Sequence, residues 1–151
     1  MTVITDELRK AIGSELASFE FEVSRSDLKK YAVATGQTRQ CYLDGDVAPL
    51  LYMFGVTMPI VPLDQLLPDG RQPDGPLVPD LPLKRIVAGG IEYQVHRRVR
   101  AGDVLVCSQR LADLYEKTGS QGPLIFLVFE NLFRTRDGEP VITERQTRIA
   151  R

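Results

Sequence analysis

Between Arg85 and Arg151 the chain carries four stretches of strand pattern joined by short turns, and this run limits its fold more than any other feature. Ile91, Tyr93, Val95 and Val99 alternate with Glu92, Gln94, His96 and Arg98, the period of two that marks a half-buried strand. Residues 104–115 repeat the pattern with one slip, where a bulge is expected. Residues 124–133 are almost wholly apolar, as in a central strand covered on both faces, and residues 141–149 alternate again. The turns are Ala101-Gly102-Asp103, Thr118-Gly119-Ser120 and Arg136-Asp137-Gly138. Strands joined by turns this short pair with their neighbours in an antiparallel meander.

The N-terminal third reads differently. Thr5 caps a short helix whose first turn holds Asp6 and Glu7, with Leu8, Ala11 and Ile12 as its stripe and Gly13 as its stop. Phe19, Phe21 and Val23 alternate with Glu20 and Glu22 as a strand. Ser24 and Asp27 open a second helix running to about Thr35, with Leu28, Tyr31, Ala32 and Thr35 inward and Gly36 ending it. Eight of the ten prolines fall between Pro49 and Pro82, with Pro-Asp-Gly at residues 68–70 and again at 73–75. Proline lacks a backbone donor and fixes φ, so residues 59–82 should hold little regular structure. A loop that long within a compact domain implies a lid or an interface. An apolar helix around residues 49–56 should precede it. One strand, helices, a long loop and a four-stranded antiparallel run make an α+β fold, read as one domain over residues 1–151.

Charge and cysteine content narrow the function. A net charge of −1 gives no global attraction to nucleic acid or to an anionic membrane. Cys41 and Cys107 lie far apart without metal-ligand spacing, so neither a metal site nor a disulfide scaffold is expected. The uncharged stretch at residues 47–63 is short and broken by Pro49, Gly55, Pro59 and Pro62, which reads as a buried segment rather than a membrane span. Without the apolar core of a signal peptide at the N-terminus, a cytoplasmic location is expected.

Three stretches, in order, resemble the MaoC-like hydratase/dehydratase family. The first runs from Phe21-Glu22-Val23 to Tyr31-Ala32-Val33-Ala34-Thr35-Gly36, like that family's strand–helix entry. The second runs from Gly89-Gly90-Ile91-Glu92-Tyr93 to the Gly102-Asp103 turn. The third runs from Glu116-Lys117-Thr118-Gly119 through Gly122-Pro123-Leu124 to Asp137-Gly138-Glu139-Pro140. The resemblance implies a single hot-dog fold, a curved antiparallel sheet around a central helix. The nearest flavour is the N-terminal type of hydroxyacyl-thioester dehydratases, found also as their non-catalytic subunit.

Active members of that family carry D-x-N-P-x-H-x-D after the entry helix. Its Asp and His hold a water and move its proton across an acyl-thioester double bond, which requires a base within hydrogen-bond reach. The matching stretch here reads Gln37-Thr38-Arg39-Gln40-Cys41-Tyr42-Leu43-Asp44. Gln37 stands for the Asp and Tyr42 for the His, and only Asp44 remains. Glutamine is no proton base, and a tyrosine hydroxyl ordinarily holds its proton far above neutrality. His96 is the one histidine and the residue type titrating nearest neutrality; it reads as a substitute base, as a contact to a coenzyme A phosphate, or as an exposed or interface histidine framing a strand. Arg97, Arg98 and Arg100 read as a grip for coenzyme A phosphates or an acidic carrier protein, or as a solvated face. Gly89 and Gly90 allow close approach of an acyl chain or pantetheine, or simply form a bulge.

The resemblance thus implies a subunit of an enoyl-thioester hydratase or 3-hydroxyacyl-thioester dehydratase. Such a subunit would shape the acyl channel while a second hot-dog chain supplies the Asp and His. No metal or redox cofactor is implied, and coenzyme A or phosphopantetheine enters only as part of the substrate. Two other readings stay open: a non-catalytic acyl-thioester-binding homodimer, and a free-standing hydratase or thioesterase using Asp44, Tyr42 or His96.

Overall fold

The C-terminal run folds into four long strands, and a fifth strand from the N-terminal third completes the sheet. The structure, a computed structural model, describes residues 3–73 and 78–151, so the second Pro-Asp-Gly lies partly outside the described residues. Strands β1 (Glu15–Glu22), β2 (Ile86–Val95), β3 (Val104–Gly119), β4 (Gly122–Thr135) and β5 (Pro140–Ala150) order as β1-β3-β4-β5-β2. Every pairing is antiparallel. β3, β4 and β5 form the expected meander, while β1 and β2 reach the two edges by long connections. The slip read in residues 104–115 is a register shift between Leu111 and Asp113.

Helices α1 (Asp6–Lys10), α2 (Arg25–Ala34), α3 (Gln40–Leu43) and α4 (Tyr52–Val56) come from the first third. Thr5 caps α1 by accepting from Leu8 N–H, and Ser24 caps α2 by accepting from Asp27 N–H, the two caps the sequence points to. Leu28 and Ala32 are the buried residues of α2. The helical layer over the sheet is built of short pieces, because Gly36, Gly45 and Pro49 interrupt it. Gly45 has φ +68°, and a Cβ there would stand 2.7 Å from the Arg25 carbonyl, so the chain can reverse there only with glycine.

The core has two parts. Met53 of α4 and Leu28 of α2 pack on Leu105, Cys107, Phe133, Val141 and Ile142 at one end of the sheet. At the other end, Leu111, Leu114, Ile125 and Leu127 meet Ile4 and Leu81. Leu81 is buried at the end of the proline-dense segment, so this loop contributes to the core, which its composition does not reveal. Otherwise the segment is irregular in its described part apart from a single 3-10 turn, Leu63–Gln65, as its prolines require.

One strand reading needs correction. β2 ends at Val95, so His96 and Arg97 lie in a bend, Arg98 is irregular, and Arg100 forms only an isolated bridge with Val47. The His96 N–H donates to the Val141 carbonyl as the chain turns away from the sheet. β5 turns Ile142, Glu144, Gln146 and Ala150 inward, so polar side chains occupy the middle of its buried face.

Candidate functional site

The residues singled out by sequence scatter over three places. Gln37 follows α2, and its side-chain N–H donates to Thr35 Oγ1 at 3.3 Å. Asp44 caps the C-terminus of α3, is exposed, and accepts from Gln40 Nε2 at 2.8 Å. Both are held by near neighbours in sequence at the surface, where a proton-transfer group has no enclosed partner. Tyr42 lines a cavity of about 220 Å³ together with Arg97, Arg98, Pro49 and Met53. His96 is exposed beside Thr143 Oγ1, 3.2 Å away, apart from that cavity's lining.

Arg97 is committed to structure. Its guanidinium bonds both oxygens of Asp103, at 2.8 and 3.2 Å, and the Arg100 N–H donates to Asp103 Oδ2 at 2.8 Å. Burial pushes the Asp103 carboxyl up, but these bonds from Arg97 and Arg100 outweigh it and hold the group below its usual range. Arg98 and Arg100 are exposed. Gly89 sits at a register shift in β2, where a Cβ would meet Thr147 and Ile149 of β5 at 3.0–3.1 Å, so its smallness serves strand packing. Gly90 has open space before it and lines a groove.

That groove is built of two cavities that share lining residues. One part, about 410 Å³, is lined by Leu51, Phe54, Ile86 and Ile91. The other, about 460 Å³, lies beneath Val56, Thr57 and Met58 and is floored by Phe19, Phe129, Gln109 and Asn131. Gln146 and Arg148 line both parts. Apolar walls with a few convergent polar groups, at this volume, suit an elongated organic ligand.

Sequence reasoning missed the floor. Gln109 Nε2 donates to Asn131 Oδ1 at 3.0 Å, and Asn131 Nδ2 and Gln146 Nε2 each donate to Glu144 Oε1 at 2.6 Å. Glu144 is fully buried, and Tyr93 is its cross-strand neighbour on β2. Burial first, then the Glu144 carboxyl, push the Tyr93 hydroxyl far up. The same two causes push the Cys107 thiol up to about 12. Among the described residues, neither the Tyr93 hydroxyl nor Glu144 Oε2 finds a hydrogen-bond partner. The signal available in sequence was Asn131 inside the apolar run, together with Glu144 and Gln146 at one parity of β5.

Among the described residues no group of three or more His, Cys, Asp or Glu is placed to hold a metal ion, and no helix is long and apolar enough to cross a membrane. No curated protein matches the sequence. Among solved structures the chain is similar to the HadBC (3R-hydroxyacyl-ACP dehydratase) complex from Mycobacterium tuberculosis. The identity is 18%, the match covers 92% of this chain and 100% of that one, and the TM-score is 0.60. It is also similar to the ChsH1-ChsH2 complex from the same organism, at 18% identity, 89% and 82% coverage and a TM-score of 0.63. A third is the R-hydratase PhaJ1 from Pseudomonas aeruginosa, at 14% identity, 92% and 81% coverage and a TM-score of 0.58. At these identities the likeness shows the fold, which is the hot-dog arrangement of sheet and helices. The family model described as the FAS1-like dehydratase domain region matches residues 10–144, and the chain belongs to that family.

Proposed function

We propose that this chain is a subunit of an enoyl-thioester hydratase or 3-hydroxyacyl-thioester dehydratase, acting on coenzyme A or acyl-carrier-protein thioesters. It shapes the acyl channel, and a second hot-dog chain supplies the proton-transfer pair. One observation carries this reading: an open groove of acyl dimensions coexists with a motif segment in which Gln37 and Tyr42 replace the acid–base pair. Reversible addition of water at the β-carbon needs a positioned base. Gln37 cannot serve as one, and the Asp44 side chain is exposed and bonded to Gln40.

The surface supports a partner. β2 is an edge strand, and exposed Val87 and Val95 lie on it, with exposed Leu50, Leu51 and Phe54 at and before α4. An unpaired strand beside an apolar patch is a pairing surface. Two of the similar structures are themselves HadBC and ChsH1-ChsH2 complexes. In this reading the exposed Arg98 and Arg100 meet the phosphates or acidic carrier, Gly90 admits the acyl chain, and Pro59, Arg71, Gln72 and Pro73 of the proline-dense segment border the groove. A homodimer is the second reading, because the same edge can pair with its own copy.

The test is hydration of crotonyl-CoA and a longer enoyl-CoA by the purified chain, alone and with a co-expressed hot-dog chain bearing an intact Asp/His motif. Activity alone should lie at least about 10²-fold below that of the pair. Robust turnover by the isolated chain, abolished by His96→Ala or by Asp44→Asn, would overturn the proposal in favour of a free-standing enzyme.

A further inference from the structure

β4 is apolar on both of its faces, and the core takes only one of them. Ile125, Leu127, Phe129 and Phe133 form the inner row and pack in the two core clusters. Leu124, Phe126, Val128 and Leu132 form the outer row and stand half-buried. A sheet face left to water ordinarily carries polar side chains. Across this apolar face runs a single line of charge. Strand register sets Arg110 of β3 beside Glu130 of β4, Glu130 beside Arg145 of β5, and Arg145 beside Glu92 of β2. At the far end Glu15 of β1 stands opposite Arg110, so the sign alternates strand by strand over the whole sheet. Glu130 is 4% exposed, because Arg110 Nε donates to its Oε1 at 2.8 Å and Arg145 Nε to its Oε2 at 3.1 Å. A guanidinium carries five N–H groups, and one carboxylate cannot take those of two arginines. Both arginine side chains remain about half exposed, and Glu92 is exposed beside them.

We infer that this outer face is an interface between two copies of the chain, packed sheet to sheet with an offset of one strand. The line of charge chooses the occupant. A partner of one sign, acidic or basic, would be repelled at every second strand, whereas a second copy supplies both signs at the same spacing. The line also chooses the offset. With β4 over β4, each charge meets its like. With a two-fold axis parallel to the strands and between β4 and β5, Arg110 of each copy meets Glu92 of the other, and Arg145 meets Glu130. The opposite offset would rely on Glu15, which stands at a register shift, while residues 91–95 pair regularly. Strands about 4.8 Å apart and about ten residues long give five of them a face on the order of 700 Å², close to the ~800 Å² per partner of a stable interface. The edge of β2 stays open in this packing, so the inference does not depend on the partner proposed above.

The experiment is light scattering on the purified chain at micromolar concentration and low salt. It compares the wild type, Arg110→Glu, Glu92→Arg, and an equimolar mixture of these two variants, with folding checked by thermal unfolding. The wild type should contain at least two copies. Each reversal sets like charges face to face twice, once on either side of the axis, and should halve the mass. The mixture should regain the wild-type mass, because every facing pair is then of opposite sign. Should a reversal fail to fold, Val128→Lys, beside the line of charge on the same face, takes its place with the same halving expected. A wild type that runs as a single copy would overturn the inference without any variant. So would folded variants of unchanged mass, as for a ladder that serves only its own sheet or a dimer joined along β2, and so would a mixture that stays at half mass.

Discussion

The segment from Gln37 to Asp44 and the floor of the groove hold the same kinds of side chain, amides and a carboxyl, in opposite settings. In the first, Gln37 bonds Thr35 and Gln40 bonds Asp44, contacts within one turn of chain at the surface. In the second, Gln109, Asn131 and Glu144 bond across three strands in the interior. A surface polar group exchanges its protein partners for water at little cost, so sequence there can drift without consequence for the fold. A buried one loses its hydration and must be matched atom by atom. The polar pairing that the fold must specify therefore lies under the groove, away from the segment the family pattern points to.

The sharpest way to break that comparison is Glu144→Ala, which strands the side-chain N–H groups of Asn131 and Gln146 without their shared acceptor. Urea unfolding should show a loss of about 2–6 kcal/mol, since each of the two stranded buried donors costs about 1–3 kcal/mol. A loss below about 1 kcal/mol would mean that water reaches the floor freely. A smaller effect is expected from alkali. The Cys107 thiol lies near 9 ordinarily and is pushed up to about 12, and the Tyr93 hydroxyl is pushed up as well. The folded protein thus keeps protons that the unfolded chain gives up. That contribution is complete below about pH 9 and is lost as pH rises toward 12. Melting temperature should fall across this window, and Cys107→Ala should flatten part of the fall; a profile unchanged by the substitution would place the decline elsewhere. The smallest effect should come from Asp44→Asn, within about 0.5 kcal/mol of wild type in the same urea assay. A cost like that of Glu144→Ala would remove the distinction between the two regions.

Most of the architecture was legible because it rests on local chemistry. Thr5 and Ser24 announce their helices, Gly102 and Gly138 mark reversals, and the slip at Leu111–Asp113 shows as a break in alternation. The candidate site was not legible, because its residues meet only through strand pairing. In β5, Val141 and Ile149 share one parity, and Ile142 and Ala150 share the other. A period-two count cannot tell which set faces inward until Glu144 is paired with Asn131 and Tyr93. Glu130 poses the mirror problem: it lies on the opposite face of β4 yet is buried, because the guanidinium groups of Arg110 and Arg145 close over it. His96 misled for a simpler reason, since polar residues extend the alternation past the point where the backbone bends.

The order of strands in the sheet also has a consequence for how the molecule comes into being. β3, β4 and β5 adjoin in both sequence and space, so their hairpins can close as soon as the chain is available. β1 pairs with β3, Phe21 opposite Leu105, across more than half the chain. Closing so large a loop is slow and is rewarded only once β3 stands in place. During synthesis β1 leaves the ribosome first and finds its partner late. Phe19 and Phe21 then wait in water through the making of the helices, the proline-rich loop and β2, and over that interval the nascent chain most needs a chaperone's shelter.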